Sequence, residues 1–431
     1  MKTLKFKSKN FWSQLSKQTE AASRSSELSG IVEKIISDIK SGGDKALLEY
    51  TKKLDKASLT PKTMRVGKSE INEALSRVSA ADKREIKNAI KCVAEFHKHT
   101  MPKNWRAKNP HGATIGENFY PISRVGLYIP GGQAPLVSTV VMTATLAKLA
   151  GCPEICVCTP PNAEGKVNDQ LLCALALEGI SEIYKAGGAQ AIAAMALGTK
   201  TIKPVEKLFG PGNAFVIEAK RQLFGDVGVD LLPGPSEVLI VADGSANPKY
   251  VAADLLSQAE HGSGREKIYL VTTSETLFSE VKKELEKQYP SLTRAEKLAK
   301  IIDCGCTVVE VENLEQAAEV ANFIAPEHME LQVEPSKAES LAKSIKTAGA
   351  ILVGENTPTV LGDFTAGPSH TLPTGRTGRF SGGLQLIDFM RRSSFVKYDA
   401  KSAKKAEATV RAFSKMESLD AHGRSLTLRL E

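Results

Sequence analysis

From Val125 to about Phe224 the chain alternates short apolar runs with longer helical patterns. VGLYIPGG reads as a strand entering a glycine turn, followed by a helix over Ala134–Ala150. EICVCTPP is the next strand, with the helix DQLLCALALEG behind it. SEIYKAGG leads into AQAIAAMALG, and KLFGPGN into AFVIEAKRQLFG. Apolar strands separated by helices of this length predict an α/β fold with a parallel sheet covered on both faces. Several strands end in Gly or Pro-Gly, which puts loops at their carboxyl ends, where such sheets bind ligands. A second set follows: SEVLIVAD, PKYVAADLLSQAEH, KIYLVTT, a charged helix and CTVVEVE. The amphipathic segments Leu28–Leu54 and Ile71–His97 are expected to cover this second sheet. After FMRRSS the alternation ends. A basic helix with Ala406, Val410 and Phe413 on one stripe leads to the last residues, with no sheet of its own to pack on. It is the part expected to reach another subunit. The sequence shows no internal repeat and no low-complexity linker.

One short stretch breaks the apolar pattern. FIAPEHMEL sets Glu327 beside His328 in apolar company. Before it, Leu314, Ala317, Ala321 and Ile324 have helical spacing, and Pro326 biases Ala325 away from helical geometry, so the helix should stop there. After it, MELQV alternates like a short strand. The pair therefore sits at a helix-to-strand junction, a place where reactive groups are held on a rigid frame. Taken alone, such a pair reads first as a polar junction facing water.

Composition narrows the class without naming a chemistry. The 431 residues suffice for two or three domains of about 100–200 residues, and 42% hydrophobic with 25% charged is ordinary for a globular protein. The net charge of +8 comes from 57 basic against 49 acidic residues. It concentrates in MKTLKFKSKN, Lys98–Lys108 and KSAKK, none of which interleaves aromatics with a long basic run, so no nucleic-acid partner is expected. The basic start lacks the apolar core of a signal peptide. The longest apolar run, APLVSTVVMTATLAKLAG, carries Ser, Thr and Lys and reads as a buried helix. A cytoplasmic protein without a membrane partner is expected. Seven cysteines spread over this length argue against a disulfide framework. CPEICVC could suggest a thiolate metal site, but Cys156 and Cys158 fall on one face of a strand and read as buried structural residues, as does Cys152.

The seven histidines are more informative. His97 and His99 end a charged helix and read as surface residues, and His111 lies in the turn NPHGA. The other four stand in SQAEHGSG (His261), APEHMEL (His328), GPSHTLPTG (His370) and LDAHGRS (His422). In DLLSQAEHG, Gln258 and His261 share a helix face before Gly262 ends the helix. His261 could bind zinc or could simply cap its helix. Asp363 in LGDFTAGPSH offers a carboxylate on a glycine-rich loop, and His422 a second imidazole; spacing does not join them. The dinucleotide fingerprint G-x-G-x-x-G is absent after any strand. Three glycine turns, YIPGGQAP, KAGGAQA and FGPGNAF, each join a strand to a helix whose first amides could receive phosphate, and together they favour a ligand cleft.

These motifs, from about residue 28 to the end, closely resemble the histidinol dehydrogenase family. The matching segments are VGLYIPGGQAPLVSTVVM, AGGAQAIAAMALGT, FGPGNAFVIEAKRQL, PGPSEVLIVAD, LLSQAEHG, FIAPEHMEL, GDFTAGPSHTLPT and MESLDAH, in the family's order. Departures are small: Gln133 and Ser369 stand where Ser and Asn are frequent. The resemblance implies oxidation of L-histidinol to L-histidine through L-histidinal with two NAD, the final steps of histidine biosynthesis. It implies one Zn2+ per subunit, held by Gln258, His261, Asp363 and His422. NAD contacts would fall on Tyr128, Gln190 and Asn213. Substrate contacts would include Ser236, His328, His370 and Glu417 besides the metal-site groups. Glu327 and His328 become the acid–base pair: His328 takes the hydroxyl proton, and Glu327 activates the water that adds to the aldehyde.

The implied fold is two incomplete Rossmann-like sheets with short terminal helical segments. Residues 1–27 would be a terminal segment, 28–126 with 237–382 one α/β domain, and 127–236 the NAD-binding domain. Residues 383–431 would be a tail exchanged in a homodimer, so that each active site is shared between subunits. Two rivals share the scaffold: a dehydrogenase of another polar alcohol such as a sulfonated diol, and a non-catalytic nucleotide-binding protein. The first should alter Glu417, His370 or the metal ligands, and the second has no need of Glu327 and His328.

Overall fold

A computed structural model describes residues 1–19, 25–131, 135–262 and 264–431. Among these residues the strands, in chain order, are β1 (Lys2–Lys5), β2 (Trp105–Lys108), β3 (Thr114–Pro121), β4 (Arg124–Tyr128), β5 (Glu154–Thr159), β6 (Ile183–Lys185) and β7 (Lys207–Phe209). They continue as β8 (Gly228–Val229), β9 (Glu237–Ala242), β10 (Lys267–Thr272), β11 (Cys306–Glu310), β12 (His328–Gln332), β13 (Ala350–Val353) and β14 (Met390–Lys397). A five-stranded sheet has the order β6-β5-β4-β7-β8, and a six-stranded sheet the order β1-β11-β10-β9-β12-β13. Every pairing in both is parallel. In each, the edge strand β1 apart, the chain starts in the middle, moves outward one way, then returns to move outward the other way. This is the doubly wound, Rossmann-like arrangement, with a topological switch point between β4 and β7 and another between β9 and β12.

Alternation within strands feeds a core on each face. Leu239 and Val241 of β9 join Tyr269, Val271, Met329 and Leu331 under the helices Phe11–Thr19, Leu314–Ile324 and Pro335–Ser344. Val238 and Ile240 join Ile268, Leu270 and Val308 under Pro248–Ala259, Glu275–Gln288 and Ala295–Gly305. The five-stranded sheet is layered the same way, with Cys156 and Cys158 together on one face, fully buried and unpaired.

Four expectations need correction. The helices spanning 26–98 do not cover the six-stranded sheet. Val32, Ile35 and Ile39 bury against the five-stranded sheet and its helices on one side, and Ile71, Ala74 and Val93 on the other. The six-stranded sheet already has both faces covered by its own connecting helices, and residues 1–19 give it a further helix and the edge strand β1. Strand β4 also runs across the expected limit between residues 126 and 127. The tail, in turn, is not free of sheet: β14 pairs antiparallel with β3, and β3 with β2. Leu384, Leu386 and Phe389 anchor its start in the five-stranded core, where Phe389 stacks on Phe209. Beyond it, the helices Ala400–Met416 and Asp420–Thr427 pack on each other. His97, finally, is buried, 1% exposed, and burial pushes its imidazole down to about 4. Among the described residues no helix is long and apolar enough to cross a membrane.

Candidate functional site

The helix Leu314–Ile324 stops where Pro326 requires, but Ala325 goes further than an extended turn: it is left-handed, at φ 50° and ψ 59°. An alanine in that region is strained by roughly 1–2 kcal/mol. The turn delivers Glu327 and His328 to the amino end of β12, both buried. His328 is the first residue of the strand, not part of a loop. Its Nε2 lies 3.8 Å from Glu327 Oε1 and 3.8 Å from Asp363 Oδ1. Asp363 arrives on the short helix Thr359–Phe364 after β13. His370 follows it, with Nδ1 3.3 Å from the Asp363 carbonyl. His261 ends the helix Pro248–Ala259 region, with Nδ1 3.3 Å from the Gln258 carbonyl. That contact is the helix cap expected of His261. With its proton on Nδ1 it also leaves Nε2 free as a ligand atom, so capping and metal binding are compatible.

Burial dominates the titration of the whole group. Burial pushes His328 down to about 3, with His370 and His261 adding to the shift. Burial likewise lowers His370 to about 4. Asp363 is pushed up to about 7, by burial first and then by Glu330. Burial holds Glu327 well above the ordinary carboxylate range; hydrogen bonds from the Glu237 amide and Ser236 hydroxyl oppose this, while the Glu237 and Asp363 charges reinforce it. The two carboxylates near His328 do not restore its basicity because they are driven toward the protonated form themselves. A divalent cation would reverse the trend of the carboxyls, by stabilising their ionised form, and reinforce that of the imidazoles, which it favours neutral.

The fit to such a cation is partial within one chain. Gln258 is 2% exposed, and its Nε2 has no hydrogen-bond partner. Gln258, His261 and Asp363 offer oxygen and nitrogen donors suited to zinc. Yet among the described residues no group of three or more His, Cys, Asp and Glu side chains is arranged to hold a metal. Glu417 and His422 lie exposed on the tail helices. Among the described residues, no hydrogen bond or ion pair joins their side chains to the Glu327–His328 cluster.

A second group lies at the carboxyl ends of the other sheet. Tyr128 ends β4, and its hydroxyl accepts the Gly188 N–H at 3.1 Å. Gln190, in the first turn of the next helix, is 1% exposed; its Nε2 donates to Asp55 Oδ2 at 3.3 Å and its Oε1 has no partner. Asn213 caps the helix Ala214–Leu223 through its side chain. Gly210, at φ 109°, lies so close to Tyr128 that a Cβ there would sit 2.1 Å from the Tyr128 carbonyl oxygen. The expected phosphate-receiving amides are partly in use. Asn213 takes those of Phe215 and Val216, and Asp55, pushed up to about 6 by burial, bonds that of Gly187. Gln133 and part of its glycine turn lie outside the described residues.

Several polar residues here escaped the sequence reading. Glu237 donates its amide to Glu327 Oε2 at 2.9 Å, and burial pushes its own carboxyl up to about 7. Glu330 and Gln332 are buried on β12, and Asp254 faces them. The available signal was polar residues at period two with His328 in HMELQ, and Asp254 on the helix face of Gln258 and His261.

The comparisons with known proteins are consistent across sequence and structure. The histidinol dehydrogenase family model matches residues 18–430. The chain is 42% identical to histidinol dehydrogenase of Rhodopseudomonas palustris over 396 residues, covering 92% of this chain and 91% of that one. Against the Agrobacterium fabrum enzyme it is 42% identical over 406 residues, covering 94% and 93%. The crystal structure of histidinol dehydrogenase from Elizabethkingia anophelis superimposes with a TM-score of 0.95 at 36% identity, covering 100% of this chain and 98% of that one.

Proposed function

The chain belongs to the histidinol dehydrogenase family, and we propose that it is an oxidoreductase that converts L-histidinol to L-histidine through L-histidinal, reducing two NAD. The observation that carries the reading is the buried Glu327–His328 pair facing Asp363, with His261 and His370 beside it.

His328, neutral in its buried setting, accepts the hydroxyl proton of the alcohol as hydride leaves the carbinol carbon. Glu327, as a carboxylate, draws a proton from the water that adds to the aldehyde. The resulting hydrate loses its second hydride with His328 again taking the hydroxyl proton. The Glu237 amide and Ser236 fix the Glu327 carboxylate, and His370 lines the substrate side. NAD, when bound, accepts each hydride; Tyr128, Gln190 and Asn213 would hold it, Gln190 with its unpartnered Oε1. Zinc, when bound, would supply a fixed positive charge that positions the polar groups of the substrate. Gln258, His261 and Asp363 would supply its ligands from one chain, with His422 supplied by the partner's tail. The exposed Phe413 and Met416 on that tail support exchange in a homodimer, since large apolar side chains in such numbers seek a covering surface.

The test is formation of NADH on adding L-histidinol, measured with metal content and circular dichroism. Chelation, or His261→Asn, is expected to abolish turnover with the fold retained. Full activity in metal-free protein would remove the zinc reading, and no NADH from L-histidinol would remove the substrate.

A further inference from the structure

The three segments that carry the proposed metal and acid–base groups meet at one buried hydrogen-bonded node outside those groups. Glu330, 1% exposed, lies one strand repeat beyond His328 on β12. Its Oε1 accepts hydrogen bonds from the Thr359 amide and hydroxyl, each at 2.7 Å. Thr359 begins the helix that ends in Asp363 and Phe364, and Pro358 before it provides no side-chain cap. The Glu330 carboxylate caps that helix from the neighbouring strand, the end at which negative charge is favoured. Its Oε2 accepts from Gln332 Nε2 at 3.0 Å, and the same Nε2 donates to Asp254 Oδ2 at 2.7 Å. Asp254 stands one turn before Gln258 and two before His261, on their face of the helix.

We propose that Glu330 is a positioning residue: through Thr359 it fixes Asp363, and through Gln332 and Asp254 the helix of Gln258 and His261, both against His328. The inference rests on the zinc site proposed above. Its physical basis is that the donors concerned are buried. Without the carboxylate, the Thr359 amide and hydroxyl lose their shared acceptor in a place water does not supply one, and the short helix loses what sets its direction. A ligand set drawn from separate segments then loses its geometry before any ligand atom is altered.

The experiment compares wild type, Glu330→Leu, Glu330→Gln, Thr359→Val and His261→Asn as zinc-loaded full-length protein. Zinc affinity is read by competition with a chelator, alongside turnover of L-histidinol and thermal melting. Glu330→Leu should bind zinc about 10–100-fold more weakly and lose turnover in proportion. Glu330→Gln should recover most of both, because its amide still presents an oxygen to Thr359. Thr359→Val keeps the backbone donor and should show a smaller loss of the same kind at nearly unchanged melting temperature. Wild-type zinc affinity and turnover in folded Glu330→Leu would overturn the inference. If that variant does not fold, the same result in Thr359→Val would do so. His261→Asn separates the two readings: loss of zinc there with zinc retained in the Glu330 and Thr359 variants sinks this inference alone. Zinc retained in His261→Asn removes the zinc site and this inference with it.

Discussion

The two parallel sheets share a strand order but work from opposite edges. In the five-stranded sheet, Tyr128, Gln190 and Asn213 cluster at the carboxyl ends of β4, β6 and β7, around glycines that let backbone and side chains approach closely. In the six-stranded sheet, Glu237, Glu327 and His328 gather at the amino ends of β9 and β12. The helix after β9 runs back to the same edge and brings Gln258 and His261 there, as the helix after β13 brings Asp363. The carboxyl edge of a doubly wound sheet is the usual ligand site because helix N-termini point at it. The amino edge meets helix C-termini instead, which favour positive charge. An edge of that kind suits a bound cation among carboxylates and imidazoles, whereas the glycine turns suit a dinucleotide. We infer a division of labour: binding of cofactor on one sheet, proton transfer and metal on the other.

The largest expected effect probes that division directly. His328→Asn should slow oxidation of both histidinol and histidinal by about 10²–10⁴-fold, the range for loss of a general base. NAD affinity, followed by fluorescence titration, should stay at its wild-type value. Loss of NAD binding in this variant would erase the separation between the edges. Glu327→Gln should be more selective, impairing oxidation of the aldehyde more than that of the alcohol, because only the aldehyde step needs an activated water. Assays started from each substrate separately decide it, and equal losses contradict the assigned role.

On the opposite edge, Gly188→Ala should leave chemistry intact but weaken NAD binding. Gly188 has φ 62°, and a Cβ there would sit 2.7 Å from Gln190 Oε1. The left-handed conformation alone should lower stability by about 1–2 kcal/mol, read by denaturant unfolding, with the NAD titration reporting the displaced Gln190. Unchanged NAD affinity would take Gln190 out of the cofactor site. The smallest effect tests whether the catalytic edge is complete in one chain. Refolding Glu327→Gln together with His422→Ala should give about half heterodimers and restore about a quarter of the sites, if each tail enters the partner's cleft. In such a heterodimer one cleft carries both lesions and the other neither. No recovery, with heterodimers confirmed by mass, would place both groups in one chain's own site.

Much of this was legible in the sequence. Alternating strands and helices from β4 to β12 specified parallel sheets, because strands buried on both faces read as unbroken apolar runs. Pro326 specified the end of the helix before Glu327, and FIAPEHMEL set a carboxylate beside an imidazole at the helix-to-strand junction. Local physics sufficed for these features. The destination of the helices at 26–98 was not legible, since an amphipathic face states only that it will be buried, not against what. The strand β14 was hidden because Arg391 to Ser394 lie on a half-exposed antiparallel ribbon whose pairing partner is far along the chain. MELQV alternates like a short strand, but all five residues of β12, His328–Gln332, are buried. Its polar side is satisfied by Thr359, Gln332 and Asp254, contacts made only when three distant segments close on one another. The sequence by itself determined most of the elements, through spacing, glycine and proline, and its resemblance to the family implied which residues would carry chemistry. Only the tertiary structure decided which sheet edge gathers them and that Glu417 and His422 stay outside their own chain's cluster, because those outcomes depend on which faces are already covered.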